Sequence, residues 1–281
     1  MTIPRVTAAT RLLAVLGDPV GHSLSPAIQN AALRATGRDG VYVALRCDAA
    51  SLEGLVRGIA RSGGAGNVTL PHKERTAALL DVPSPAVVRT GACNAFWSAD
   101  GCLHGDNTDV EGFRRALAAL LGGPPTGKSV LLLGAGGAAR AALVALLEDG
   151  AREVRLFNRS AERARGVLAD LGNEKTSLVE DPRELQSGGF DLVVNATRLG
   201  LQAADPLPFE LERLSGVGAV MDLVYGRGPT RFVDSARALG IRAADGGEML
   251  VQQGAAAFER WWGVPAPVAA MREAFEKERT G

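Results

Sequence analysis

The stretch Asn67-Val68-Thr69-Leu70-Pro71-His72-Lys73 brings an amide, a hydroxyl and an amine to the place where a short apolar strand turns into a helix. Pro71 suits the first helical position, where its missing N–H is no loss and its φ is already helical, which puts Lys73 in the first turn. A cation is out of place there, since the exposed N–H groups of a helix start favour anions. Composition sharpens the point. Of 31 Lys plus Arg, the lysines are Lys73, Lys128, Lys175 and Lys277, so arginine is the default cation of this chain. A lysine can give up a proton that arginine holds too tightly. Proton transfer is one reading of Lys73 and a solvated surface lysine is the other; the heptapeptide alone does not separate them.

Further residues could do chemistry. Gly134, Gly136 and Ala139 have the G-x-G-x-x-A spacing, within the run Gly134-Ala135-Gly136-Gly137-Ala138-Ala139 between a strand and a helix. The first glycine allows a tight turn, the second lets a pyrophosphate approach the backbone, and the small third residue lets helix and strand pack closely. That context makes a dinucleotide site the expectation, rather than a turn that is merely tight. The next strand ends in Asn158-Arg159-Ser160, with Arg163 a turn on, where an NAD site would place a carboxylate for the ribose 2′-OH. Arginine matches a 2′-phosphate instead, so the expected cofactor is NADP (NADPH); a strand-end surface cation is the alternative reading of Arg159. Ser23 and Ser25 flank Leu24 at a helix start, where two hydroxyls and free N–H groups suit a carboxylate, and Ser25 also fits the helix cap. Asn94 and Asp109 follow strands that could lie beside Thr69, though each alone fits turn or cap chemistry.

Positioning such residues takes a framework, and the chain has room for one. Its 281 residues suffice for two domains, and 46% hydrophobic with 22% charged residues is an ordinary globular make-up. A formal net charge of zero leaves no basic footprint, which argues against nucleic acid or an anionic membrane and leaves small molecules as partners. Cys47, Cys93 and Cys102, with His22, His72 and His104, lack metal-ligand spacing, so a metal-free protein with reduced cysteines is expected. The apolar run 12–16 is cut off by Gly17-Asp18-Pro19 too early for a signal segment. The run from Val130 is broken by Gly134, Gly136, Gly137 and Arg140 well short of a membrane span, and a cytoplasmic protein is expected. No feature sets the oligomeric state, and a homodimer is compatible with the chain.

Strands are expected over 12–16, 41–45, 66–69, 92–98 and 103–105, the last two joined at an Asp100-Gly101 turn. Helices are expected from Ser25-Pro26, with Ser25 as N-cap and Pro26 at the first position, over 52–60, and from Pro71. After Asn107-Thr108-Asp109 a helix runs over 110–121, closed by Gly122-Gly123-Pro124-Pro125. A second alternation follows, with strands over 130–133, 154–157, 191–194 and 219–223 and helices over 140–148 and 161–171. Beyond Asp245-Gly246-Gly247 come helices over 249–261 and 267–278. The alternation implies an α/β fold with parallel sheet covered on both faces.

Taken in order, these motifs resemble the shikimate dehydrogenase family. The resemblance rests on Gly17-Asp18-Pro19 through Ser25-Pro26, Asn67 to Lys73, Gly91-Ala92-Cys93-Asn94, Gly105-Asp106-Asn107-Thr108-Asp109, Gly134 to Arg140, Asn158-Arg159-Ser160, Asn195-Ala196-Thr197 and Met249-Leu250-Val251-Gln252-Gln253. It implies reversible hydride transfer between NADP(H) and the 3-dehydroshikimate/shikimate pair, in aromatic amino-acid biosynthesis. It implies two domains: residues 1–108 plus 246–281 for substrate, and an inserted Rossmann-type NADP domain over 109–245. By the same resemblance Ser23 and Ser25 bind the substrate carboxylate, Thr69, Asn94, Asp109 and Gln253 its hydroxyls, and Tyr225 lines the pocket. Lys73 and Asp109 form the catalytic pair. Gly134, Ala135, Gly136, Gly137 and Ala138, with Asn158, Arg159, Ser160 and Arg163, then Asn195, Ala196 and Thr197, hold the cofactor. Leu223 joins them, and Gly247 and Met249 lie near the nicotinamide. Asn67 is read as scaffolding.

The chain departs from the family pattern at Ala65, where glycine is usual, at Ala95, where threonine is usual, and at Arg227, where proline commonly stands. A quinate/shikimate dehydrogenase using NAD or both nucleotides is a close alternative, and an amino-shikimate pathway paralogue, with the same pocket logic, a more distant one. A non-catalytic shikimate-sensing module is the alternative of another class, disfavoured because a sensor needs no proton donor.

Overall fold

The first apolar run forms β1 (Arg11–Gly17), whose last five residues are all buried, as a strand covered on both faces must be. A computed structural model describes residues 6–185 and 188–280. One folded unit holds the residues up to Thr108 with Val251–Arg279, and the other holds Asp109–Leu250.

In the first unit β1 is followed by α1 (Ser25–Thr36), β2 (Gly40–Arg46), α2 (Leu52–Arg61), β3 (Ala65–Val68), α3 (Lys73–Ala77), β4 (Val82–Pro83), α4 (Pro85–Thr90), β5 (Ala95–Ala99) and β6 (Cys102–Asp106). The sheet order is β2-β1-β3-β5-β6-β4. It is parallel from β2 to β3 and antiparallel across β3-β5-β6. The β5-β6 pairing is forced by the Asp100-Gly101 turn, with φ of 51° and 79°, which is too short to cross over and can only reverse the chain. Helix α2 buries Leu52, Val56, Ile59 and Ala60, one helical face, in a core with Ala14, Leu16, Phe96 and Leu103.

The second unit begins with most of α5 (Thr108–Leu121), followed by β7 (Ser129–Leu133), α6 (Gly137–Glu148), β8 (Glu153–Phe157), α7 (Ala161–Leu171) and β9 (Thr176–Val179). Then come β10 (Gly189–Phe190), β11 (Leu192–Asn195), β12 (Gly216–Val217), β13 (Ala219–Asp222), α8 (Arg231–Ala238) and β14 (Arg242–Ala244). Its main sheet has the order β14-β13-β11-β7-β8-β9, with every pairing parallel. This is the doubly wound Rossmann order, reversing direction between β7 and β11, and ligands of such sheets bind outside the strand carboxyl ends at that point. Helices α9 (Gly247–Trp262) and α10 (Val268–Thr280) end the chain, and from Val251 they return to the first unit.

Two local expectations are corrected. Pro71 does not open α3. The segment Thr69–His72 is a separate turn, closed by His72 N–H donating to Thr69 C=O at 3.0 Å, and the helix starts at Lys73 after it. Ser25 is not the cap of α1. Leu24 holds that position and Ser25 is already helical, which moves Pro26 one place inward, within the first turn where a proline's missing N–H still costs nothing.

Candidate functional site

In the first unit the side chains of interest stand at the ends of β1, β3 and β5 and on the helices that follow. Thr69 is set against β1: its N–H donates to Leu16 C=O at 2.8 Å, and its Cγ2 fills the place where a Cβ on Gly17 would stand. The glycine leaves room for the threonine. Asn67, one residue before Val68, is fully committed to scaffolding, accepting from the Tyr42 hydroxyl at 2.7 Å and donating to the Asn94 carbonyl at 2.9 Å. Burial pushes the Tyr42 phenol well above its ordinary range, so it stays a neutral donor to Asn67.

Asn94 links the segment after β6 to α9. Its side-chain oxygen accepts from Thr108 N–H at 2.7 Å and from Thr108 Oγ1 at 3.1 Å, and its amide donates to Gln253 on α9 at 3.3 Å. The preceding residue, Cys93, donates its N–H to the Lys73 carbonyl at 2.9 Å. The backbone of Lys73 is thus tied through Cys93 to the peptide that leads into Asn94. Lys73 is half-buried and Asp109 buried. Ser23 and Ser25 stand on either side of the Leu24 N-cap of α1, Ser25 N–H donating to Ser23 Oγ at 3.3 Å. Because α3 spans only Lys73–Ala77, its macrodipole is short, and the electrostatic oddness of a first-turn lysine is smaller than in a full helix.

In the second unit the glycine turn occupies the reversal of strand order. Gly134 has φ +114°, and a Cβ there would lie 2.8 Å from the Ala196 carbonyl oxygen, so only glycine fits. A Cβ on Gly136 or Gly137 would meet open space, whereas Ala139 is buried between helix and strand. This is the shape a pyrophosphate needs, room above the second glycine and none behind the first, and it fits a bound dinucleotide. Ser160 caps α7 by accepting from Arg163 N–H at 3.4 Å, Asn158 donates to the Ser160 carbonyl at 2.9 Å, and Arg159 and Arg163 are exposed. Asn195 Oδ1 accepts from Thr197 N–H at 3.0 Å and Oγ1 at 2.7 Å, which shapes the turn through Ala196 against Gly134. Leu223 N–H extends the ladder to the Asn195 carbonyl at 2.8 Å. A Cβ on Gly246 would strike the Leu223 carbonyl oxygen, and Gly247 N–H donates to Asp245 at 3.0 Å as α9 begins, with Met249 buried in its first turn. Tyr225, its phenol also raised by burial, lines a cavity of about 220 Å³ with Leu207, Arg227, Thr230 and Arg231.

Sequence reasoning missed several positioning residues. Tyr42 lies inside an apolar strand and gave no polar signal. Asp106 and Arg260 pair across 154 positions, which no local pattern reveals. Asp222 was visible as a carboxylate ending a buried strand, and that was the signal to use. Among the described residues no group of three or more His, Cys, Asp or Glu is placed to hold a metal ion, and no helix is long and apolar enough to cross a membrane.

Comparison with known proteins identifies the family. The shikimate dehydrogenase substrate-binding domain model matches residues 15–96, the shikimate/quinate 5-dehydrogenase model 117–200, and the shikimate 5′-dehydrogenase C-terminal domain model 246–274. The shikimate dehydrogenase (NADP(+)) of Rubrobacter xylanophilus is 43% identical, with 99% of this chain and 100% of the relative covered. The crystal structure of the Thermus thermophilus shikimate 5-dehydrogenase in complex with NADP(H) and shikimate superposes with a TM-score of 0.86 at 39% identity, covering 95% of this chain and 98% of that one. The Aquifex aeolicus shikimate dehydrogenase gives 0.88 at 33% identity, covering 96% and 99%. With the glycine turn at the strand reversal and the Lys73, Asn94 and Asp109 motifs in sequence order, the chain belongs to the shikimate dehydrogenase family.

Proposed function

We propose that this chain is an NADP-dependent oxidoreductase that reversibly reduces 3-dehydroshikimate to shikimate in aromatic amino-acid biosynthesis, with Lys73 and Asp109 as its catalytic pair. The observation that carries the activity is end-to-end similarity at 43% identity to a shikimate dehydrogenase (NADP(+)). Bound NADP supplies the hydride in one direction and takes it up in the other. Reduction of the ketone leaves an alkoxide, and Lys73 gives it a proton; in the oxidation Lys73 takes that proton back. Asp109 orients the ammonium. Ser23 and Ser25 take the substrate carboxylate, and Thr69, Asn94 and Gln253 its ring hydroxyls, with Tyr225 beside them. Gly134 to Ala138 take the pyrophosphate, Asn158, Arg159, Ser160 and Arg163 the adenosine 2′-phosphate side, Asn195 to Thr197 and Leu223 add further contacts to the cofactor, and Gly247 and Met249 lie near its nicotinamide. Small molecules are its partners, and its place of work is the cytoplasm.

Reduction of NADP+ with shikimate, followed at 340 nm, tests the activity, and quinate and NAD+ run alongside settle selectivity. Shikimate binding without absorbance change would leave only the sensing module. Lys73→Ala or Asp109→Asn should lower kcat by about a hundredfold to ten-thousandfold with much smaller changes in KM. Near-normal kcat in both would refute the pair.

A further inference from the structure

Asp222 ends β13 with a fully buried carboxylate that has no part in the chemistry above. Its hydrogen-bond partners are neutral donors from separate segments. Oδ1 accepts from Asn195 Nδ2 at 2.8 Å and Val224 N–H at 3.0 Å, and Oδ2 accepts from Thr230 Oγ1 at 2.6 Å. Each donor leads to a surface the cofactor needs. Asn195 shapes the turn whose Ala196 carbonyl presses on Gly134. Val224 precedes Tyr225, and its carbonyl accepts from Gly246 N–H at 2.9 Å, next to the start of α9. Thr230 closes the 224–230 loop and caps α8 by accepting from Val233 N–H at 3.2 Å. One carboxylate therefore ties together the carboxyl ends of β11 and β13 and both ends of the loop between β13 and α8.

We propose that Asp222 is a positioning residue that shapes the NADP site by locking the 195–197 turn and the 224–230 loop to each other beside the glycine turn. The role depends on shape and acceptors more than on charge. An asparagine at this position keeps one oxygen for Asn195 and Val224, and its amide can donate to Thr230, whose hydroxyl can reverse while still capping α8. Alanine leaves three buried donors without their acceptor.

The proposal rests on placing NADP at the glycine turn, so the test carries a control for that placement. In the NADP+/shikimate assay, Asp222→Ala should raise the KM for NADP+ about tenfold or more and that for shikimate less than about threefold, and Asp222→Asn should restore the NADP+ KM to within about threefold. A folded Asp222→Ala with unchanged NADP+ KM, or with both KM values raised equally, overturns the proposal. Should that variant not fold, Thr230→Val removes one of the three links; a selective rise in NADP+ KM supports the proposal, and an unchanged value overturns it. Gly136→Val puts a side chain into the open space over the turn. A raised NADP+ KM there with a flat response to Asp222→Ala refutes Asp222 alone, and no rise refutes the placement and the proposal together.

Discussion

Lys73 is held through its backbone: its carbonyl accepts from Cys93 N–H, the peptide that leads into Asn94, so a shift of the lysine would disturb the same bonds that fix Thr108 and Gln253. The proton donor proposed at Lys73 needs that restraint, because a small misplacement weakens catalysis steeply. Residue type alone drew attention to Lys73, since a lysine in an arginine-rich chain stands out, and left both readings of it open. Asp222 is the opposite case, legible as an oddity and interpretable only through its three donors. Burial and the like charge of Asp245 raise its carboxyl to about 6, against hydrogen bonds that pull it down. A carboxyl raised in the fold contributes stability that is fully present below its unfolded value of 3.8 and is lost as pH rises through about 6. The amide that replaces it in Asp222→Asn does not titrate. The stability of Asp222→Asn relative to the parent should therefore rise between pH 4 and 6.5 by about 2 kcal/mol and then level off. Urea unfolding of both proteins across that range reads it directly, and a constant difference would show that Asp222 is not the titrating group.

At the scale of elements, most helices and strands were legible from periodicity because each buries one face or two. Helix α7 ran over 161–171 as expected, and α2 and β7 differed by a residue. What escaped were short pieces with no periodicity to read, such as β4 and α4, placed by pairing of Val82 with His104 and by the Ser84 cap on Val87 N–H at 3.2 Å. The proline rule failed at Pro71 for a related reason: a turn closed by a single hydrogen bond carries no pattern, so sequence grounds put the helix start two residues early. Close approach between elements is equally invisible locally. Gly17 ends β1 and is pressed on by Thr69 from the end of β3, with Thr69 Cγ2 occupying the space of the missing Cβ. Gly17→Ala should push Thr69 from its place and raise the KM for shikimate several-fold, about 1 kcal/mol of binding, while leaving the KM for NADP+ unchanged. If the NADP+ KM moved instead, Thr69 would not be a substrate contact.

At the scale of the molecule, α/β class and a nucleotide-domain pattern were readable because alternation is a property of the whole string, but the insertion of that domain and the way the C-terminal helices complete the first unit were read only through resemblance. Its physical basis is a set of bonds over long separations. Arg11 donates to the Trp261 carbonyl at 2.9 Å, Gln29 to the Gly254 carbonyl at 2.8 Å, and Arg260 to Asp106 at 2.8 Å. Asp106 also accepts from Ser84 at 2.5 Å and from Asn107 N–H at 2.8 Å, directly before Thr108 and Asp109. The pair is asymmetric, with the Asp106 side chain 7% exposed and that of Arg260 60% exposed, so solvent screens much of the attraction while the carboxylate still needs its partner. Arg260→Ala should accordingly cost about 1 kcal/mol, below the value for a fully buried pair. Asp106→Asn in the same chain should recover part of it, because an amide leaves no unpaired charge behind. The double-mutant cycle by urea unfolding gives the coupling. A coupling of zero would mean that α9 is held to this unit by other contacts, those of Gln29, Arg11 and Asn94 and its apolar face among them, and that the segment leading to Asp109 is set in place without help from Arg260.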